Sequence, residues 1–267
     1  MEKSFKIGFV GCGKMASAII KGIINTNLVD IKNIKASEFS EDLAKEKENL
    51  LGITVYHDND KLISESDIIF FATKPNQLEK ILQDTKAITQ DKLLVSICAG
   101  IKISKIEKYY PKNAIIRVMP NAPLMVQSGM SAIVKGKTAT DENVKIVKQI
   151  LDALGKSIIT TEEKIDIITA ISGSGPAFFY KMIHELALAG NKLGMDYNEA
   201  LLLAEQTAVG SAKLMMQSNL TPTELINNIS TKGGCTEVGV SVMNKYNTEK
   251  IFDEVIEQTT IKAKALG

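Results

Sequence analysis

The stretch "KIGFVGCGKMASAII", residues 6–20, decides the fold because it joins a strand, a glycine-rich loop and a helix without interruption. Residues 6–10 form a short apolar run typical of a buried parallel strand. Apolar residues then recur at helical spacing over residues 14–25. A strand followed directly by such a helix, at the start of an α/β chain, predicts the first unit of a doubly wound sheet.

The loop inside this stretch has the pattern Gly11-x-Gly13-x-x-Ala16. Gly11 permits a tight turn, and Gly13 lets the backbone come close to a pyrophosphate at the helix N-terminus. Ala16 keeps the helix close to the sheet. The strand–loop–helix context is the one that a dinucleotide-binding loop requires, whereas an ordinary turn built from small residues is the alternative interpretation.

The same alternation of strands and helices continues to about Thr160, after which nearly every segment has helical periodicity. We therefore predict an N-terminal Rossmann-type dinucleotide-binding domain over residues 1–160 and an all-helical domain over residues 161–267. The predicted strands cover residues 6–10, 33–38, 53–56, 67–73, 93–99, 114–119, 130–134 and 157–160. The predicted helices cover residues 14–25, 40–50, 76–86, 141–154, 162–170, 175–193, 197–217, 221–228, 234–246 and 249–265.

The composition excludes several other classes of protein. The 267 residues are 45% hydrophobic and 24% charged, with a net charge of +1, so no strong field favours nucleic acid or an anionic membrane. No apolar run reaches the ~18 residues of a membrane span. The N-terminus has no signal-peptide pattern, and Cys12, Cys98 and Cys235 lack metal-ligand spacing. We expect a cytoplasmic protein with reduced thiols and no metal.

The helical half is predicted to form a homodimer. The segment 197–217 carries apolar residues around much of its circumference, which is too much for a solvent-covered helix on a small domain. The alternative is a central core helix, but a domain of this size has few other elements to cover it.

Three further strand ends are built from small or turn-forming residues, in the segments "FATKPNQ" (71–77), "SICAGI" (96–101) and "RVMPNAP" (117–123). Ligands bind outside the carboxyl ends of the strands in open α/β sheets. Glu38 stands at the predicted end of the second strand, where a carboxylate can accept hydrogen bonds from ribose hydroxyls. Together these segments predict a cofactor trough.

The chain resembles the pyrroline-5-carboxylate reductase family over almost its whole length. The resemblance is carried, in the family's order, by "IGFVGCGKMASAIIKG", "FATKP", "VSICAGI", "RVMPNAP", "SGM", "DIITAISGSGPAFFY" and "TKGGCTEVG". It implies reduction of L-1-pyrroline-5-carboxylate to L-proline with NAD(P)H, the last step of proline biosynthesis. It also implies a helical domain that dimerises, with dimers assembling into a larger ring.

The resemblance and the motifs together give the expected site. Thr169 matches the family threonine beside the substrate ring nitrogen and is the expected catalytic residue, although a helix-end hydroxyl with a purely structural bond is the alternative. The expected cofactor-binding residues are Gly11, Cys12, Gly13, Lys14, Met15, Glu38, Asn59, Ala72, Thr73, Lys74, Pro75, Cys98, Ala99 and Asn121. The expected substrate-binding residues are Ser174, Gly175, Thr231, Gly233, Gly234, Cys235 and Thr236.

The last of these groups departs from the family pattern. Family members usually have Ser-Pro-Gly-Gly-Thr-Thr where this chain has Thr231-Lys232-Gly233-Gly234-Cys235-Thr236. The two glycines still predict exposed backbone N–H groups that bind the substrate carboxylate. Lys232 is expected to point to solvent, although it could instead supply charge.

NADH is the favoured cofactor over NADPH. The carboxylate of Glu38 would repel the 2′-phosphate of NADPH, and no arginine lies nearby to neutralise it. Lys45 and Lys47 are expected to lie too far along the next helix to do so.

Two other functions remain open at this stage. A hydroxyacid dehydrogenase of similar two-domain plan would use Lys181 as its acid–base lysine, but the motif spacing after Gly175 is one residue too long and no asparagine follows one turn later. An NAD(P)-sensing interaction protein is the third reading, and the presence of a separate anion loop disfavours it.

Overall fold

The structure is a computed structural model that describes residues 5–89 and 91–267. Its strands are β1 (Ile7–Val10), β2 (Ile34–Ser37), β3 (Thr54–Tyr56), β4 (Ile68–Phe71), β5 (Leu93–Ser96), β6 (Ile115–Met119), β7 (Gly129–Lys135) and β8 (Gly155–Thr160). Its helices are α1 (Lys14–Asn25), α2 (Glu41–Leu51), α3 (Asn59–Ser64), α4 (Pro75–Asp84), α5 (Ile103–Glu107), α6 (Asp141–Asp152), α7 (Ile165–Ile168), α8 (Gly175–Lys192), α9 (Tyr197–Gln217), α10 (Pro222–Ile229), α11 (Cys235–Lys245) and α12 (Thr248–Leu266).

The eight strands form one sheet in the order β3-β2-β1-β4-β5-β6-β7-β8. The first six strands are all parallel and follow the order 3-2-1-4-5-6 of a dinucleotide-binding fold. The order reverses between β1 and β4, and their carboxyl ends therefore flank the crevice where such folds bind ligands. The predicted Rossmann-type architecture is confirmed.

The sheet changes direction at its far edge. β7 runs antiparallel to β6, with Arg117 opposite Val134, and β8 then pairs in parallel with β7. The short return through residues 120–128 contains one 3-10 helix, Ala122–Val126, and a connection this short joins antiparallel strands. All eight strands were predicted from apolar runs as strands of a mostly parallel sheet, and the antiparallel pairing of β7 with β6 is the exception.

Two apolar layers cover the sheet. On one face, Phe9 and Phe70 stack with ring centroids 4.8 Å apart inside a cluster that includes the buried face of α1. Gly22 of α1 is needed there, because a Cβ at this position would lie 1.9 Å from the side chain of Leu154. The other face is filled by α3, α4 and α5 around Phe71 and Leu94.

The described chain divides into two compact units. The first contains the sheet and its helices up to Ser174, together with Thr259–Gly267. The second is Gly175–Gln258, which holds α8 to α11 and most of α12. The sequence-based boundary at residue 160 stays a prediction about domain organisation.

The helical unit has little core of its own. α8 and α9 are long helices, yet α9 buries only Ala200 and Ala204, and α10 and α11 bury no residue. Large apolar side chains are exposed along these helices, including Tyr180, Leu186, Leu202, Leu203, Leu214, Met216, Ile229, Val238 and Met243. This apolar surface needs a partner, as the periodicity of residues 197–217 predicted.

Candidate dinucleotide and substrate site

A cleft of about 660 Å³ lies at the carboxyl ends of β1, β2 and β4. Its lining residues are Val10, Gly11, Cys12, Gly13, Ser37, Glu38, Phe39, Leu43, His57, Asn59, Ala72, Thr73, Lys74, Asn76, Gln77, Lys80, Ile81 and Asp84. Eight of the residues predicted to bind the cofactor are therefore together at one place, and all eight come from loops that follow strands or begin helices.

The glycine loop is shaped to receive a phosphate. Gly11 has a φ of +88°, and a Cβ there would lie 2.9 Å from Thr73 Cγ2, so only glycine fits. Gly13 is the N-cap of α1, no side chain caps that helix, and a Cβ at Gly13 would meet nothing within 4 Å. The first-turn N–H groups of α1 thus face open space with no acidic residue among them, which favours an anion.

The loop is fastened to the end of β2 by Glu38. The backbone N–H of Cys12 donates to Glu38 Oε1 at 2.9 Å, and the backbone N–H of Phe39 reaches Oε2 at 3.4 Å. These bonds hold the carboxylate at the mouth of the cleft beside the glycine loop, where ribose hydroxyls are bound in dinucleotide folds. Each carboxylate oxygen keeps further capacity to accept a hydrogen bond.

Lys47, in the second turn of α2, is paired with a neighbouring carboxylate. Its ammonium lies 2.8 Å from Glu46 Oε1, and this bond raises the pKa of Lys47. Lys47 is not among the residues that line the cleft. The expectation that it lies too far along α2 to neutralise a 2′-phosphate stays a prediction.

Asn59, the first residue of α3, is positioned by a neighbour on the sheet. Ser37 is the last residue of β2, and its hydroxyl donates to Asn59 Oδ1 at 2.7 Å. Because Asn59 Oδ1 is used in this bond, the side-chain N–H groups of Asn59 are the donors that remain for another partner. A donor at the cleft wall suits the oxygen-rich surface of a dinucleotide.

Thr73 lines the cleft, and Cys98, a predicted cofactor residue that does not line it, holds the loop that carries Thr73. Cys98 Sγ donates to the carbonyl oxygens of Phe71 and Thr73, both at 3.3 Å, which fixes the loop after β4. Burial raises the pKa of the Cys98 thiol, so it remains a neutral donor. Thr73 Oγ1 is buried without a hydrogen-bond partner within the described part of the chain. The Thr73 hydroxyl, next to Gly11, is thus a hydrogen-bonding group that a bound ligand can satisfy.

The remaining predicted cofactor residues do not line the cleft. Lys14 is exposed at the start of α1, Met15 packs against the apolar core, and Pro75 is the first residue of α4. Ala99 is exposed in the loop after β5.

Asn121 is used inside the protein. Its side-chain oxygen accepts from the Met130 N–H at 2.8 Å, and its Nδ2 donates to the Ser172 carbonyl at 3.2 Å and to the Ser172 hydroxyl at 3.4 Å. It therefore holds the end of the sheet to the turn that contains Thr169. This direct role of Asn121 is structural, and its contact with a cofactor stays a prediction.

Thr169 begins a wide π-helical turn, Thr169–Gly173, between α7 and α8. Its hydroxyl donates to the carbonyl oxygen of Ile165 at 2.7 Å. The bond is the structural one that the sequence analysis gave as the alternative. It also fixes the direction of the hydroxyl, since the proton points along the helix and only oxygen lone pairs remain for another partner.

The predicted carboxylate loop lies in the helical unit before α11. Gly233 has a φ of +78°, and the N–H of Gly234 closes a turn onto the Thr231 carbonyl at 2.9 Å. Gly234 is the N-cap of α11 and no side chain caps that helix. Lys232 is exposed, in agreement with the expectation that it points to solvent.

A carboxylate already lies on this loop. Glu237 Oε2 accepts the Gly233 N–H at 2.7 Å, from the first turn of α11. The contact shows that the loop binds an anionic oxygen, and it places a fixed negative charge where the substrate carboxylate was predicted. Glu237 was not predicted from the sequence, although it lies four residues after Gly233 in a predicted helix start, where its side chain can reach back to the loop.

No three His, Cys, Asp or Glu side chains come together as metal ligands within residues 5–89 and 91–267. Over the same residues, no helix combines the length and apolar character needed to span a membrane.

A parallel sheet in 3-2-1-4-5-6 order, an uncapped glycine loop and an acid at the end of β2 define a dinucleotide-dependent oxidoreductase. Residues 6–100 match the family profile described as NADP oxidoreductase coenzyme F420-dependent, and residues 162–266 match pyrroline-5-carboxylate reductase dimerisation.

Named relatives give the same answer. Pyrroline-5-carboxylate reductase of Methanosarcina acetivorans is 36% identical over 98% of this chain and 98% of its own length. The solved pyrroline-5-carboxylate reductase of Coxiella burnetii superposes with a TM-score of 0.93 at 29% identity, covering 99% of each chain. That of Plasmodium falciparum, solved with NADP bound, gives a TM-score of 0.89 at 33% identity over 100% of this chain and 99% of its own. The chain belongs to the pyrroline-5-carboxylate reductase family.

Proposed function

We propose that this protein reduces L-1-pyrroline-5-carboxylate to L-proline with NADH or NADPH, as the last step of proline biosynthesis. The observation that carries the proposal is the open, uncapped start of α1 beside the Glu38 carboxylate, in a chain of this family. The residues present fit a dinucleotide, because a Cβ at Gly13 would meet nothing within 4 Å and Thr73 Oγ1 has no hydrogen-bond partner among the described residues.

Each part of the cleft has a separate task in binding. The first turn of α1 would hold the pyrophosphate, Glu38 the adenosine ribose, and Asn59 and Thr73 further oxygen atoms of the cofactor. When bound, the reduced nicotinamide supplies hydride to the carbon of the C=N bond. The protein mainly positions two reactants, a contribution that can reach ~7–11 kcal/mol of the barrier.

Thr169 would act at the ring nitrogen as an acceptor. Its hydroxyl proton is committed to the Ile165 carbonyl, so its lone pairs can receive a hydrogen bond from a protonated imine N–H. A protonated imine is the electrophilic form of the substrate. Thr169 therefore selects and orients the form that already carries its proton, and it need not supply one.

The substrate carboxylate would bind at the loop of Thr231, Gly233, Gly234, Cys235 and Thr236. The loop already holds one carboxylate oxygen, that of Glu237, on the Gly233 N–H. Ser174 and Gly175, at the start of α8, keep their proposed roles as substrate neighbours because they add little bulk there.

The protein forms a homo-oligomer through a helical unit that matches the family's dimerisation profile. We propose further that its dimers assemble into a larger ring in the cytoplasm, where its three free thiols would stay reduced. Light scattering at micromolar concentration tests the assembly, and a mass of one chain would contradict it.

A hydroxyacid dehydrogenase is not supported by the surroundings of Lys181. Its ammonium pairs with Glu185 one turn along α8, and its side chain is exposed. That arrangement is a solvent-exposed helix pair.

The proposed function is tested by following NADH and NADPH oxidation with L-1-pyrroline-5-carboxylate and identifying L-proline as the product. Hydroxy acids with oxidised cofactor serve as the comparison. Turnover of hydroxy acids without turnover of the cyclic imine would overturn the proposal. Cofactor binding with neither turnover would favour a sensing protein.

A further inference from the structure

Phe39 is an aromatic side chain in an unusual place. It follows Glu38 directly, lines the cleft, and is 74% exposed. Among the ring–ring contacts found in the described residues, none includes Phe39. An exposed phenyl ring at the rim of a binding cleft leaves apolar surface in water, which a flat ligand can cover.

Two further apolar side chains line the same cleft as Phe39. Leu43, in the first turn of α2, and Ile81, on α4, line the same cleft and are each partly buried. Ser40 caps α2 by accepting the Leu43 N–H at 3.3 Å, which fixes the backbone next to Phe39. Phe39, Leu43 and Ile81 are apolar members of the cleft lining, called the slot below, and they share the cleft with the Glu38 carboxylate and with polar side chains such as Lys80 and Asp84.

The order of groups in a dinucleotide identifies what enters this slot. The adenosine ribose lies between the pyrophosphate and the base. If the pyrophosphate is at Gly13 and the ribose hydroxyls are at Glu38, the base lies beyond Glu38, next to Phe39. We propose that Phe39 is the stacking platform for the adenine ring of the cofactor, an inference that rests on the proposed cofactor site. Aromatic side chains stack on any base because every base has a π-face.

Because the sequence contains no tryptophan, binding of adenine at Phe39 can be measured by the fluorescence of an introduced indole. Phe39→Trp introduces the single indole of the protein at the slot, and Leu50→Trp introduces one at an exposed position in the last turn of α2 outside the cleft. ADP-ribose carries adenine, ribose and pyrophosphate, whereas nicotinamide mononucleotide carries no adenine. We expect saturable quenching of Phe39→Trp by ADP-ribose and not by nicotinamide mononucleotide, and no response of Leu50→Trp.

Calorimetry of ADP-ribose binding is the second test of the proposal. Phe39→Ala should weaken binding by about 5- to 20-fold, within the range for loss of one base–aromatic stack, while Phe39→Tyr should bind like the natural chain. Circular dichroism of each variant checks that the fold is intact.

Three outcomes would overturn the inference. One is equal affinity of Phe39→Ala and the natural chain for ADP-ribose. Another is indole emission of Phe39→Trp that changes with protein concentration but not with added ADP-ribose. That result would mean that a second copy of the chain covers Phe39. A natural chain that binds no ADP-ribose at all would remove the proposed cofactor site as well, so the two failures are distinguishable.

Discussion

The Glu38 carboxylate accepts the backbone N–H of Cys12 at 2.9 Å, across 26 residues of sequence. One side chain thus joins the end of β2 to the glycine loop and presents a negative charge at the ribose end of the cleft. Because this N–H of the loop is occupied by Glu38, the pyrophosphate would depend on the N–H groups that follow it, from Gly13 into the first turn of α1. Glu38 therefore sets both the loop geometry and the local charge.

The first prediction concerns cofactor choice. Two like charges ~4 Å apart in a partly solvated cleft repel by up to ~4 kcal/mol before screening, so Glu38 should disfavour the 2′-phosphate of NADPH. We expect at least a tenfold preference for NADH in kcat/KM, and Glu38→Ser should reduce that preference about tenfold. Equal use of both cofactors by the natural chain would contradict this.

Lys47 provides a matched test of the same charge balance. Its ammonium pairs with Glu46 at 2.8 Å and Lys47 does not line the cleft, so Lys47→Gln should leave the NADH preference unchanged; a fall in NADPH use alone would show that its charge reaches the 2′-phosphate. Lys45→Gln, two residues earlier on the same helix, is the control for a general loss of positive charge.

The second prediction concerns Thr169. Removing an acceptor for a charged N–H costs about 1.5–3 kcal/mol, so Thr169→Val should lower kcat/KM roughly 10- to 100-fold, while Thr169→Ser retains most activity. The pH profile of kcat/KM should keep its position in Thr169→Val, since the proton arrives with the substrate. A profile displaced in this variant would instead indicate that the hydroxyl is a proton donor.

Thr26→Val is the control for helix effects. At the end of α1, the Thr26 hydroxyl donates to the carbonyl oxygen four residues earlier, that of Gly22, at 3.0 Å, as Thr169 does to Ile165. Thr26 does not line the cleft, so Thr26→Val should leave kcat/KM unchanged.

The third prediction concerns Glu237. Its carboxylate accepts the Gly233 N–H and would repel a substrate carboxylate bound at the proposed loop. Glu237→Gln keeps an oxygen acceptor but removes the charge, so KM for the cyclic imino acid should fall roughly 3- to 10-fold with little change in kcat. Glu205→Gln, an exposed acid on α9, controls for net charge. A higher KM in Glu237→Gln would show that the charge itself shapes the loop.

The fourth prediction concerns thiol reactivity. Cys235 is exposed beside the carboxylate loop, whereas Cys12 and Cys98 are buried and burial raises the pKa of both thiols. An aromatic disulfide reagent should therefore modify Cys235 first and the two others only after denaturation. L-Proline should slow the fast reaction, and Cys235→Ser should abolish it. Rapid reaction of all three thiols in the folded protein would contradict the burial described here.

The sheet could be read from the sequence because parallel strands buried on both faces appear as continuous apolar runs. The short helices α3 and α5 and the wide turn at Thr169 were missed, because a single turn has too little periodicity to detect. The cleft residues on loops after strands were found through glycine, proline and small-residue patterns. Lys80 and Asp84 were missed because only the packing of α4 alongside the sheet brings them to the cleft, and Phe39 was missed although it directly follows Glu38 in the loop after β2.

The helices with no buried residue have a consequence for how the protein behaves when dilute. α10, α11 and α12 bury no residue fully within one chain, so we expect association to supply much of the apolar burial that stabilises them. Folding of the helical unit and assembly are then one equilibrium governed by mass action. The melting temperature should rise with total protein concentration, and newly made chains should stay open to proteases until they meet a partner.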